Sequence, residues 1–143
     1  MPVWGRRAVI KATQPSFTVS AATVVTDDAG RILLLNHILR PASGWGVPGG
    51  FLNRGEQPDE TAKREIFEET GLRVSNLKMY CVKTNNSHVE FWFTGTANGE
   101  AQAKSREILE ARWFAPSEIP SEMSGKERQL IKQALQVGEK ARK

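Results

Sequence analysis

A chain of 143 residues with no break in composition can bury one substantial core, and it reads as a single domain over residues 1–143 with flexible ends at 1–12 and 139–143. Hydrophobic residues make up 39% and charged residues 25%, ordinary usage for a globular protein, which excludes wholesale disorder. The net charge of +4 gathers at the two ends, in Arg6, Arg7, Lys11, Lys140, Arg142 and Lys143, and argues for solvated tails over a nucleic-acid surface. Cys81 is the single cysteine, so there is no intramolecular disulfide and no multi-cysteine zinc site, and a reducing compartment fits. Met1 to Arg7 lacks the apolar core of a signal peptide, and no run approaches membrane-spanning length. The expectation is a cytoplasmic protein without a membrane partner.

Phe17 to Val25, rich in β-branched and small residues, predicts a strand that the turn residues Asp27-Asp28-Ala29-Gly30 should end. Arg31 to Asn36, with Ile32-Leu33-Leu34-Leu35, predicts the returning strand, buried on both faces. His37 to Gly50 holds so many prolines, serines and glycines that it reads as a structured loop. Pro58 to Glu69 predicts a helix: proline in the first turn, Asp59 and Glu60 near the positive end of the dipole, and Gly71 just past the close. Val74 to Thr84 and Val89 to Ala97 follow as strands joined through Asn85-Asn86-Ser87, then a short strand from Glu110 to Phe114. A turn at Ser117-Glu118-Ile119 leads to a last helix over Ser124 to Val137, with Leu130, Ile131, Ala134, Leu135 and Val137 available for packing.

The central helix carries the chemistry. With Ala62 at zero on a wheel advancing about 100° per residue, Glu68 falls near about 240°, Glu65 near about 300° and Glu69 near about 340°. The three carboxylates share one arc, and Ala62 and Ile66 beside it mark that arc as the border of the buried stripe. Like charges three and four residues apart repel, and partial burial raises their pKa values unless a counter-charge is present. An all-oxygen donor set without histidine or cysteine favours Mg²⁺, with Mn²⁺ as a substitute, over zinc. Three glutamates alone read first as a solvated acidic face. Gly49 and Gly50 upstream leave the backbone uncovered, so that a carbonyl there can complete a cation's shell and amides can approach phosphate.

Gly50, five residues, Glu56, seven residues, then Arg64-Glu65-Ile66-Phe67-Glu68-Glu69-Thr70-Gly71-Leu72 resembles the complete box of the Nudix hydrolase family, with every defining position filled over 23 residues. The lead-in Trp45-Gly46-Val47-Pro48-Gly49 is similar to the family's, and Glu107-Ile108-Leu109-Glu110-Ala111-Arg112-Trp113-Phe114 resembles its later acidic strand. The resemblance implies an α/β fold, an α/β/α sandwich with a mixed sheet in which the box forms a loop, helix and loop. It further implies that Glu65, Glu68 and Glu69, with the Gly49 carbonyl, bind one or more Mg²⁺ ions. Arg64 would orient a glutamate through charge-assisted hydrogen bonds, and Glu56 would support the box or serve as an ordinary capping carboxylate.

The implied reaction is attack of water on phosphorus in a diphosphate. The base would come either from the box helix, with Glu65 the first candidate, or from a later acid, with Glu107 the candidate there. Arg40, Trp45, Gly50 and Arg54 are candidates for substrate binding. A tryptophan before the box reads first as packing and second as a stacking face for a base; Trp92 and Trp113 read as sheet-core residues. Trp4 is a candidate for a homodimer surface or base pocket. His37 and His88 lack ligand or nucleophile spacing and read as ordinary residues, and Cys81 as a packing residue.

The leading expectation is therefore a pyrophosphohydrolase acting on a small-molecule nucleotide such as an NTP, ADP-ribose, a nucleotide sugar or a dinucleotide. NADH cleavage is disfavoured because no extended aromatic and proline motif follows the box. Two alternatives remain: a nucleotide-sensing regulator, which the intact box carboxylates argue against, and an RNA 5′-end pyrophosphohydrolase, which the basic ends permit without supporting.

Overall fold

The computed structural model describes residues 1–39 and 44–142, with side chains through 138. Strands β1 (Thr18–Thr26) and β2 (Ile32–His37) are joined across a turn in which Asp27 accepts hydrogen bonds from the amides of Ala29 and Arg31 and pairs with the Arg31 guanidinium. Gly30 closes the turn at φ +78°. The two strands pair only at Thr26 and Ile32 and then splay apart. The region read from sequence as a plain loop supplies two short strands, β3 (Trp45–Gly46) and β4 (Gly49–Phe51). β3 pairs with the edge of β2 opposite β7, and β4 with the edge of β1 opposite β6, so both wedge into the gap between the splayed pair. The density of proline and glycine marks a chain that must enter a crowded gap, a tertiary demand invisible to local propensity.

The remainder follows the sequence expectation closely. Helix α2 runs Pro58–Thr70 and ends where Gly71 turns left-handed at φ +77° and returns its amide to the Phe67 carbonyl. β5 (Ser75–Asn85) and β6 (His88–Thr96) form an antiparallel pair, β6 lies parallel to β1, and β7 (Ile108–Phe114) pairs antiparallel with β2. A 3-10 turn at Pro116–Glu118 leads to α3 (Gly125–Arg142). Among the described residues the mixed sheet is thus seven-stranded, with helices on both faces.

Alternation along the strands divides the core in two. Ala22, Val24, Ile32 and Leu34 pack with Trp92, Phe114, Ile131 and Ala134 under α3. Val25, Leu33 and Leu35 pack with Ile66 and Leu72 under α2, continued by Ala21, Ala62 and Phe93. Leu33, Leu34 and Leu35 are each 0% exposed, which explains the unbroken apolar run of β2: both faces are covered.

A helix, α1 (Val3–Thr13), precedes the sheet where sequence placed no element. None of its residues is buried; its apolar residues Val3, Trp4, Val9 and Ile10 are scattered around the axis, so no stripe announced it. No described helix is long and apolar enough to cross a membrane.

Thr23 is fully buried on β1, and among the described residues its hydroxyl has no hydrogen-bond partner. Burying such a group costs about 1–3 kcal/mol. Thr23→Val, which keeps the shape and removes the hydroxyl, is expected to raise the unfolding free energy by about 1 kcal/mol in a urea titration; a loss would mean that the hydroxyl has a partner in solution.

Candidate active site

The wedge of β3 and β4 brings Gly49 and Gly50 beneath α2, and the two glycines are required for different reasons. A Cβ on Gly49 would stand 2.4 Å from the Ala21 carbonyl oxygen, a backbone atom of the paired strand. A Cβ on Gly50 would stand 2.5 Å from the Glu65 carboxyl group. Gly49 therefore lets two strands approach, and Gly50 leaves the space that the Glu65 carboxylate fills.

Arg64 organises the acidic face. Its Nε donates to Glu56 Oε2 at 2.8 Å and one terminal nitrogen to Glu56 Oε1 at 3.0 Å, a bidentate pair. The other terminal nitrogen reaches Glu65 Oε1 at 2.8 Å and Glu68 Oε2 at 3.2 Å, and the Phe51 carbonyl accepts at 3.1 Å. Glu56 also accepts from the Thr61 hydroxyl at 2.5 Å and the Asn53 amide at 3.1 Å, so it fastens the loop to the helix. The hydrogen bonds from Arg64, then Thr61 and Asn53, hold its carboxyl at about 2.

The three helix carboxylates differ in setting. The Glu68 side chain is 55% exposed and that of Glu69 7%. Half-buried Glu65 has its pKa raised, first by burial and further by the charges of Glu69 and Glu68, against the hydrogen bond from Arg64. Glu69 Oε1 accepts the Gly49 amide at 3.0 Å, and its Oε2 lies 3.6 Å from His37 Nε2.

Among the described residues, no three Asp, Glu, His or Cys side chains stand together as a cation cluster; Glu65 and Glu68 pair with Arg64, and Glu69 with the Gly49 amide. The donor chemistry nevertheless fits a hard divalent cation: three carboxylates on one helical face, two of them largely covered, lie against a glycine cradle that a Cβ would fill.

The other sequence candidates disperse. Trp45 packs edge-on to Phe114, with ring centroids 5.0 Å apart, against the α3-side core. Arg54 is exposed in the turn before α2. Arg40 lies outside the described residues. Glu107 is exposed just before β7, where its carbonyl accepts the Ile38 amide at 2.9 Å. Trp92 is core, as read from sequence, and Trp113 donates to the Gly99 carbonyl at 2.8 Å. His88 is tied to Thr18 and Ser20. Burial pushes the Cys81 thiol up, in keeping with packing.

Two features escaped sequence reasoning. One is His37, carried to Glu69 by the end of β2. The other is a cavity of about 660 Å³ on the α3 side of the sheet, within the range of about 300–1,000 Å³ usual for small-molecule sites. Its walls include Ala22, Val47, Gly49, Lys83, Glu90, Trp92 and Glu127. Glu127 accepts the Val47 amide at 2.9 Å, and Glu90 accepts the Trp92 indole N–H. Gly49 borders both this cavity and Glu69. No spacing in the sequence links these residues, since β1, β5, β6 and α3 contribute separately.

Comparison with known proteins agrees with this geometry. The NUDIX domain family model matches residues 16–134, and the chain belongs to the Nudix hydrolase family. A MutT-like protein of Streptomyces ambofaciens is 33% identical over 118 residues, covering 80% of this chain and 75% of the relative. Among solved structures, a MutT NUDIX hydrolase from Burkholderia pseudomallei aligns with TM-score 0.71 at 26% identity, covering 84% of this chain and 98% of that one. The NUDIX domain of Shewanella oneidensis NrtR, solved with ADP ribose, aligns with TM-score 0.79 at 23% identity, covering 95% and 98%. The protein is a Nudix pyrophosphohydrolase acting on phosphoric anhydride bonds, in a family that generally uses divalent metal ions.

The two glycines separate stability from activity. Gly49→Ala must push the β1 backbone and is expected to cost about 1–3 kcal/mol of stability. Gly50→Ala meets only the end of a flexible side chain, so it should melt near wild type yet lose most of its turnover because Glu65 is displaced. Thermal melting beside a turnover assay checks both.

The Glu56 carboxyl, lowered from 4.5 to about 2, contributes stability that is complete above its unfolded value and is lost as pH falls through the folded one. Wild type should therefore exceed Glu56→Gln by a constant margin near neutrality, a margin that shrinks between about pH 4.5 and about pH 2 in denaturant titrations.

Proposed function

We propose that the protein is a Mg²⁺-dependent enzyme that cleaves the pyrophosphate linkage of a small nucleoside diphosphate derivative, with Glu65, Glu68, Glu69 and the Gly49 carbonyl as cation donors. The observation that carries this reading is the meeting of two features at Gly49: the acidic face of α2 touches it from one side, and the cavity opens on the other. A nucleoside seated in that cavity would direct its diphosphate toward the glutamates. Trp92 and the Lys83 and Glu90 side chains give the cavity an apolar surface with polar groups of both signs, suited to a base and its sugar.

A bound divalent cation supplies charge neutralisation and polarises phosphate oxygens. The chain's own groups do the rest. Arg64 holds Glu65 and Glu68 on one face while its pairing with Glu56 fastens the loop beside them. Glu65, with proton affinity raised by burial and by its acidic neighbours, is the leading candidate to take the proton of the attacking water. Glu107, exposed before β7, is the second candidate. The substrate classes that fit are NTPs, ADP-ribose, nucleotide sugars and dinucleotides. A sensor without turnover would not need this oriented carboxylate set.

Phosphate release should be measured with Mg²⁺ across those four substrate classes, with a coupled phosphatase where required. One class should be cleaved, and Glu69→Gln should cut turnover at least about 100-fold, since a lost cation donor removes several kcal/mol of charge stabilisation. Silence across the panel alongside measurable nucleotide binding would place its substrate outside these four classes. Competition by single-stranded RNA against the preferred mononucleotide would indicate the RNA-end reading.

A further inference from the structure

We propose that Phe51 is the face on which the substrate's nucleobase stacks, a role that rests on the nucleotide reading of the site. Phe51 thereby determines specificity for nucleotides over base-free diphosphates. β4 supplies the placement. Successive side chains of a strand point to opposite faces, so Gly50 turns toward Glu65 and α2 while Phe51 turns to the α3 face.

Strand register puts Phe51 beside the cavity. Ser20 pairs with Phe51 on one side and with Glu90 on the other, and Glu90 pairs with Lys83. Paired residues share a face, so Phe51, Ser20, Glu90 and Lys83 form one row across four strands. Glu90 and Lys83 line the cavity, as do Gly49, Ala22 and Trp92 of the adjacent row. At about 3.3 Å per residue, Phe51 stands about 7 Å along β4 from Gly49, whose amide Glu69 accepts. A base stacked there leaves its diphosphate beside the glutamates.

Isolated exposed aromatics are ordinary, but this one is held in place. Phe51 is 63% exposed, yet its backbone pairs with Ser20 and its carbonyl accepts Arg64 at 3.1 Å. Its ring meets that of His88, with centroids 5.7 Å apart and planes at 76°. His88 is itself tethered, Nδ1 lying 2.6 Å from Thr18 Oγ1 and Nε2 2.8 Å from Ser20 Oγ. An edge contact of this kind leaves at least one face of Phe51 open to a ligand. Other aromatics of the α3 side are committed to packing: Trp45 and Phe114 meet edge-on, and Trp92 is 3% exposed. Phe51 thus offers the stacking plane that the sequence suggested for Trp45. Such a plane recognises the π-face common to all bases and gives a bare phosphate nothing to bind.

The test is calorimetric binding of ADP, GDP, CDP and UDP to the full chain, with Ca²⁺ in place of Mg²⁺ and inorganic pyrophosphate as the base-free probe. Phe51→Ala should weaken the tightest-binding nucleoside diphosphate at least about fivefold and leave pyrophosphate within about twofold. Phe51→Trp should retain nucleotide affinity, and its added indole emission should be quenched by the nucleotide but not by pyrophosphate. Equal weakening of both ligands in Phe51→Ala overturns the proposal, since Phe51 would then only support the phosphate cradle. If Phe51→Ala fails to fold, absence of quenching in Phe51→Trp decides against the role. Wild type that binds pyrophosphate but no nucleoside diphosphate refutes the nucleotide reading itself. Nucleotide affinity that is equal in wild type and Phe51→Ala removes only the role of Phe51.

Discussion

The close approach of backbone at Gly49 and Gly50 is the constraint on which the site depends. β1 and β2 are held together by their turn at one end and forced apart at the other, and the chain between Trp45 and Phe51 fills the opening. Only a residue without a side chain can lie against Ala21 at Gly49, whose amide is also the one that Glu69 accepts. The same absence of Cβ at Gly50 admits the Glu65 carboxyl. Strand insertion and carboxylate placement are thus coupled sterically, since Gly50 meets the Glu65 carboxyl and Gly49 meets β1.

That event concentrates negative charge where the sheet excludes water, and Arg64 limits the cost. Its guanidinium spreads five donors over Glu56, Glu65, Glu68 and the Phe51 carbonyl, a fork that lysine's point charge would not reproduce. Glu56 takes the bidentate share and becomes strongly acidic, while Glu65 receives one bond and keeps a raised proton affinity. One guanidinium therefore leaves the two carboxylates at opposite ends of the scale of proton affinity. Glu69 has no share in Arg64 and relies on the Gly49 amide and the nearby His37 ring.

How much of this was legible in the sequence depends on whether the determining contacts are local. The helix Pro58–Thr70 announced itself through proline, first-turn acids and the closing glycine, and its carboxylate arc followed from periodicity. β2 was legible because burial on both faces requires an unbroken apolar run. The short strands β3 and β4 were not, since their pairing comes from a gap opened by residues far along the chain. Helix α1 lacked any apolar stripe to reveal it. That Arg64 would orient a glutamate came only through family resemblance, and its bidentate pairing with Glu56 was not read from the sequence. Nothing in the spacing of His37 and Glu69, on a strand and a helix, connected them.

The cavity shows the same limit from the opposite direction. Trp92 was read as a core residue, and it is one, yet it also lines the cavity, because the sheet face that packs on α3 is left open toward Gly49. A strand residue buried by its neighbours can present a remaining edge to a ligand without any change in residue type. Hydrophobic pattern therefore locates the core but is silent about where the core stops. The stop here is set by where α3 begins: Ser124, Lys126 and Glu127 stand at the cavity wall, and Glu127 reaches across to the Val47 amide. The position of the last helix thereby ties the cavity to the strand insertion that places the glutamates, so that changes in the α3 start can reshape the cavity while leaving the glutamates in place.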